Sequence, residues 1–374
     1  MGKGGEDRST QAIVKTFVGG NVREQTHPSY QAWSYAAYLE DFSEEVERHH
    51  IGIQPCAYLH NCESDQELRD GVYEEDLKKA PLFIRSEAQK LTEFIKKHVR
   101  FGDEDRLMYK IEHGEIKPTK KLQLAMSSML KGNKEFVMID DQKVAYEKAI
   151  KFANASTDSK KHVLIVNGGP GTGKSVVAVN LLVRFLQDGK NAQYVSKNRA
   201  PREVYASKLT GSIIKSRYKS LFVGSGRYNY AKKNDFDVLV VDEAHRLNEK
   251  SGLYSNLGEN QIMEIIHTAK CSIFFLDENQ RIALSDIGSR DEILHWARQA
   301  GAKIEEMELL SQFRCNGSDG YLAWLDHHLQ IRETANFDVS DLGYDFKVFD
   351  EAHKMHKEIT KIDQKKQLAR SVAG

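Results

Sequence analysis

The chain has 374 residues, with 54 Lys and Arg against 54 Asp and Glu, so its formal net charge is zero, and 40% of it is hydrophobic. These values suit a globular chain of two or three domains with a sizeable core, and the overall charge gives no sign of a nucleic-acid partner. No apolar run approaches membrane-spanning length and the start is charged and glycine-rich rather than signal-like, so the expectation is no membrane partner and a cytoplasmic location.

In chain order, residues 1–101 alternate strand-like and helix-like runs: a strand over 12–17, a helix over 29–49, strands over 51–59 and 81–85, and a helix over 86–100. The cysteines are Cys56, Cys62, Cys271 and Cys315, with no C-x-x-C pair, a pattern of reduced thiols. Cys56, His60 and Cys62 are close enough to suggest metal, but no second ligand pair follows at zinc-site spacing, and a buried strand end is the favoured reading. Residues 103–132 read as a charged connector, helical in two pieces split at Gly114 and Pro118.

From residue 135 a strand–helix alternation resumes, with strands expected over 163–166, 192–195, 238–241 and 272–276. Short β-rich apolar runs separated by helices imply a parallel sheet covered on both faces, which binds ligands at the carboxyl ends of its strands. The first strand runs into Gly168-Gly169-Pro170-Gly171-Thr172-Gly173-Lys174-Ser175, and a helix follows over 176–187. That is a phosphate loop in its proper context. Successive backbone N–H groups of such a turn converge on phosphate oxygens, and the helix N-terminus adds partial positive charge. Lys174 is expected on the β- and γ-phosphates of ATP, with the Ser175 hydroxyl on Mg2+. Upstream, Asp141-Gln142 precedes a helix, where the Gln142 amide could read the adenine edge or simply start the helix.

Between Lys197 and Lys233 stand ten basic residues and a single acid, Glu203, a net charge of +9 interleaved with Tyr205, Tyr218, Phe222, Tyr228 and Tyr230. Basic groups pair with phosphates and aromatic faces stack on bases, so this segment is the candidate path for single-stranded DNA or RNA, weighed against a solvated basic face. Next, the strand over 238–241 delivers Asp242 and Glu243, 67 residues beyond Ser175. Asp242 would hold the metal through water, and Glu243 would polarise the attacking water. A later strand ends in Asp277-Glu278-Asn279-Gln280, where Gln280 could sense the γ-phosphate. Arg314, in Leu310-Ser311-Gln312-Phe313-Arg314-Cys315, could stabilise the transferred phosphoryl. Each of these two signals alone could equally be a capped strand end or a surface salt bridge.

In this order the motifs resemble a superfamily 1 helicase motor: although residues 242–245 spell Asp-Glu-Ala-His, the third motif is Asp-x-x-Gln rather than the Ser-Ala-Thr of superfamily 2. More narrowly, Asp242 to Asn248, Asn260-Gln261 ahead of Glu264-Ile265-Ile266, Asp286-Ile287-Gly288, and Gln312 to Leu325 resemble the Schlafen group 3-like DNA/RNA helicase family over about residues 135–374. The resemblance implies an ATP-driven motor on DNA or RNA, with a RecA-like P-loop domain over 135–330. Gln31-x-x-x-Tyr35 is similar to the helix that follows the catalytic carboxylates in RecB-like PD-(D/E)xK nucleases, although residues 1–26 contain no E-x-K. The organisation expected is therefore a partial nuclease-like α/β domain over 1–101, a helical connector over 102–134, the ATPase domain, and the start of an incomplete second motor domain over 331–374. The 60 residues after Arg314 are too few for a whole second RecA-like domain, which puts hydrolysis by this chain alone in doubt. The alternatives are a nucleotide-binding module that relies on a partner for the second half of its cleft, or an ATP-gated nuclease.

Overall fold

A computed structural model describes residues 12–18, 21–103, 106–114, 137–199, 220–252, 256–281, 283–310, 319–330, 333 and 347–366. The chain forms two compact units, Met1–Asn316 and Gly317–Gly374. In the second unit the described elements are two helices, Asp319–His328 and Ala352–Lys366.

The first unit begins with strands β1 (Ile13–Val18) and β2 (Asn21–Thr26), an antiparallel pair. The helix Pro28–Phe42 follows, and a short helix Glu44–Arg48 is separated from it by Ser43, which ends the first and caps the second through its side chain. The single helix expected over 29–49 is thus two, because Ser43 is extended and its hydroxyl accepts from Val46 N. Strands β3 (Ala57–Leu59) and β4 (Leu82–Ile84) pair in parallel, and β3 covers only the end of the run expected over 51–59. The helices Ala88–His98 and Leu107–His113 complete this front region.

The helix Asp141–Ala155 leads into a six-stranded, wholly parallel sheet. Its strands are β5 (His162–Gly168), β6 (Ala192–Val195), β7 (Phe222–Val223), β8 (Phe236–Val241), β9 (Ala269–Leu276) and β10 (Lys303–Leu309). Their spatial order is β10-β5-β9-β8-β6-β7. Side chains alternate between two cores: Leu164, Val166, Val238 and Val240 meet Val177, Leu181 and Phe185 of the Lys174–Gln187 helix. Val163, Ile165, Leu239 and Val241 meet Ile262, Ile265 and Ile293 on the other face, from the helices Gln261–Thr268 and Arg290–Gln299. This is the α/β, P-loop NTPase architecture, with helices on both faces of a parallel sheet. All four expected strands lie in it. Strands β7 and β10 were not expected: β7 has two residues, and Lys303-Ile304-Glu305-Glu306-Met307-Glu308-Leu309 is too charged to read as a buried strand. An edge position on β5 lets β10 keep those charges outward.

Candidate nucleotide site

The parallel register delivers β5, β8 and β9 to one edge of the sheet with their carboxyl ends level, since Val166 lies opposite Phe275 and Val241 opposite Phe274. Strand β5 ends in the glycine-rich loop, which turns into the Lys174–Gln187 helix through Gly173 at φ +85°. A Cβ at that position would also stand 2.3 Å from Gln142 Nε2, so both the backbone and the neighbour require glycine. The ammonium of Lys174 is held on the loop carbonyls, 2.6 Å from Gly168 O and 2.8 Å from Gly169 O, and lies 3.9 Å from Asp277 Oδ2. Thr172 Oγ1 closes the loop on Gly169 O at 3.0 Å.

Gln142, near the start of its helix, is buried, and its amide is engaged at both ends. Nε2 donates to Thr172 O at 2.9 Å and Oε1 accepts from Ile139 N at 3.3 Å. In this arrangement the residue braces the loop.

Ser175 Oγ donates to Asp242 Oδ2 at 2.7 Å, joining the loop to the end of β8. Tyr194, at the end of β6, donates its hydroxyl to the same oxygen at 2.5 Å. Burial pushes the Asp242 carboxyl up, the Glu243 charge adds to that, and the two hydroxyl bonds oppose it. Glu243 adopts a left-handed backbone, φ 56° and ψ 43°, a strained conformation for a residue with a side chain. His245 is buried and accepts from Asp277 N through Nδ1 at 3.2 Å. Its Nε2 therefore carries the proton in the neutral ring and donates to Glu243 Oε2 at 3.1 Å. That bond holds the Glu243 carboxyl below its usual range against the effect of burial, so it is an ionised acceptor at neutral pH.

These groups fit a magnesium nucleotide. Among the described residues no cluster of three His, Cys, Asp or Glu is placed to hold a metal. One carboxylate and one hydroxyl are the sparse hard-oxygen set that Mg2+ uses when phosphates and water complete its shell. Asp277 Oδ2 is buried with no hydrogen-bond partner beside Lys174, the kind of orphaned acceptor that marks a site built for a polar occupant.

Gln280 ends the short 3-10 turn after β9 and is half-buried. Beyond it, Asp286 is fully buried, 3.0 Å from Lys197 Nζ and 3.1 Å from Arg246 Nε, and Arg281 donates to its carbonyl. Gly288 packs against the turn after Glu243 so closely that a Cβ there would stand 1.8 Å from Ala244 O. Gln312 and Arg314 lie outside the described residues.

The Lys197–Lys233 segment departs from the single path expected, and its residues 200–219 lie outside the described ones. Lys197 follows the carboxyl end of β6, whereas Lys232 and Lys233 precede β8, at the amino edge of the sheet. Of its described aromatics, Phe222 packs in the core and Tyr228 is buried with its hydroxyl on Gln193 Oε1 at 2.8 Å, while Tyr230 is exposed. Aromatic residues next to short strands close a core, and composition does not separate that use from base stacking.

Tyr194 and His245 were not singled out by sequence. The spelling Asp-Glu-Ala-His offered the signal for His245; nothing local marks Tyr194.

Residues 161–374 match the model of a family described as Schlafen group 3, DNA/RNA helicase domain. No curated protein matches. Among solved structures, one described as the crystal structure of a DNA replication initiation factor matches over 60% of this chain and 61% of its own, at 14% identity and a TM-score of 0.26. The chain thus spans less than two thirds of that structure. Among the described residues no helix is long and apolar enough to cross a membrane.

Proposed function

The chain belongs to the Schlafen group 3, DNA/RNA helicase domain family, and from that premise we propose that it is a nucleic-acid-dependent ATPase of helicase type. The observation that carries this reading is the 2.7 Å bond from Ser175 Oγ to Asp242 Oδ2, which joins the phosphate loop to the carboxylate strand. In this reading the loop from Gly168 to Ser175 holds the triphosphate of ATP, and Gly169, Gly171 and Thr172 contribute backbone. Lys174 moves from the loop carbonyls to the phosphates. Ser175 and Asp242 hold Mg2+, whose chemistry when bound is to neutralise charge on the phosphates.

Glu243 orients and polarises the attacking water, a role its low-lying carboxyl and its bond from His245 support. Because Asp277 N donates to the same histidine, the third motif is linked to the water-activating carboxylate by two hydrogen bonds. Gln280, just beyond Asp277, is the candidate sensor, and Arg314 the candidate for transition-state charge. The nucleic-acid partner is single-stranded DNA or RNA. Its contact surface on this unit is assigned to the carboxyl edge, where Lys197 meets Asp286, rather than to the whole 197–233 segment.

A second reading is a nucleotide-binding module that turns over only with a partner's arginine. Arg246 and Arg281, which follow the second and third motifs, are both spent on Asp286. ATP hydrolysis by the purified chain with and without single-stranded DNA and RNA separates the two: stimulated turnover supports the motor, and binding without turnover selects the module. Failure to bind ATP at all would remove both.

A further inference from the structure

The front region grips the segment that enters the Asp141–Ala155 helix with three hydrogen bonds, to Met138 and Asp140. Tyr30 donates its hydroxyl to Met138 O at 2.8 Å in a buried bond. Gln31 and Tyr35 lie one turn apart on the same face of the Pro28–Phe42 helix. Gln31 Nε2 donates to Asp140 Oδ1 at 2.8 Å, and the Tyr35 hydroxyl donates to Asp140 Oδ2, so both carboxylate oxygens are taken. Burial and the Asp140 charge push the Tyr35 phenol up to about 12, so it stays a donor at any physiological pH.

Asp140 has φ 41° and ψ −116°, a backbone region that strains a residue with a side chain and persists only where the surroundings impose it. The residues on either side lead to the nucleotide loop. Ile139 N donates to Gln142 Oε1, Ile139 O accepts from Gln142 N at 2.9 Å, and Gln142 Nε2 reaches Thr172 O. Asp141 Oδ2 accepts from Leu310 N at 3.4 Å, at the carboxyl end of β10. Asp140, Asp141 and Gln142 thus face the front region, β10 and the phosphate loop in turn.

We propose that Gln31 and Tyr35 are positioning residues for the nucleotide site: by clamping Asp140 they hold the turn that presses Gln142 against Thr172, and so set nucleotide affinity from outside the sheet. The proposal rests on the nucleotide-binding reading above. Released from the clamp, Asp140 relaxes toward an ordinary backbone region, the Ile139–Gln142 turn opens, and the loop loses the brace on Thr172 before ATP arrives. The cost falls on binding rather than on the chemical step.

The test uses the full chain with Gln31→Ala and Tyr35→Phe, each alone and combined with Gln142→Ala, and Lys174→Ala as the binding-deficient reference. Affinity is titrated with a fluorescent ATP analogue, and amide hydrogen exchange of residues 168–175 is read without nucleotide. The clamp predicts faster exchange in that loop, affinity weakened about tenfold, KM raised with kcat within about twofold, and no further loss when Gln142→Ala is already present. Unchanged loop exchange in both clamp variants, or losses that multiply with Gln142→Ala, would overturn it. If exchange rises as expected but the unsubstituted chain binds no ATP analogue, the clamp stands and the nucleotide reading falls.

Discussion

In the six-stranded sheet, Val238, Leu239, Val240 and Val241 are all fully buried, whereas along β2 of the front region only Thr26 is buried and Val22 is 68% exposed. The sheet is covered by helices on both faces, so each strand residue contributes to one core or the other. The front region holds two separate two-stranded sheets, which are marginal by themselves. It gains order by leaning on the Asp141–Ala155 helix, through Tyr30, the Asp140 clamp, and Lys148, which bridges Glu24 of β2 and Glu305 of β10 at 2.9 and 2.6 Å. The difference teaches where each region can act. In the proposed reading the sheet carries its own site at its carboxyl edge, while among the described residues the front region reaches that site through the helix it grips.

The sharpest break of this contrast is in the sheet. Lys174→Ala removes the ammonium now held on the loop carbonyls and proposed to move to phosphate, and ATP affinity should fall by about 100-fold or more, a loss no single front-region substitution should match. A filter-binding titration decides it, and retained affinity would refute the assignment of the loop. Glu243→Gln keeps the shape but not the charge, so turnover should drop about 10²–10⁴-fold while ATP binding persists. Equal loss of both in a steady-state and binding comparison would mean that Glu243 holds nucleotide instead of polarising water.

Stability gives a finer comparison. Leu164→Ala, in the middle of β5, should cost about 2–5 kcal/mol in denaturant unfolding, and Val22→Ala in β2 should stay within about 0.5 kcal/mol. Similar costs would show that the two regions are packed alike.

The smallest effect concerns His27, buried at the start of the Pro28–Phe42 helix with Nδ1 accepting from Ser29 N at 3.2 Å. Burial holds its pKa below the usual 6.5, ahead of the opposing pull of its Leu68 carbonyl contact and Asp76. A depressed histidine binds its proton in the unfolded chain first. The stability it contributes is therefore complete above pH 6.5 and declines as pH falls below that value. His27→Asn keeps a capping acceptor without the titration, so its unfolding midpoint should fall less between about pH 7.5 and 5.5. An identical acid slope in both proteins would assign the loss to other groups.

The sheet was legible because four of its strands carry short, uncharged, largely apolar runs interrupted by helices, and burial on both faces leaves such runs no room for charge. Strand β10 was not, since an edge strand carries Lys303, Glu305, Glu306 and Glu308 with no local pattern to mark it. The loop, Asp242 and Glu243 were legible as types in order, and the structure brings Ser175 and Asp242 together as that order implies. The aromatic residues were misread in part: Phe222 and Tyr228 serve the core, because an aromatic ring buries a large area wherever it lands and composition cannot say against what.

By itself the sequence determined the fold class and the order of the glycine-rich loop and the Asp242-Glu243 pair along it, because each depends on neighbours within a few residues: a strand, a tight glycine turn, a helix start. Tertiary structure alone decided what holds those groups in place. Tyr194 reaches Asp242 across 48 positions, and Gln31 and Tyr35 reach Asp140 across 109 and 105. Contacts over such separations are products of strand order and helix docking, and no local spacing encodes them.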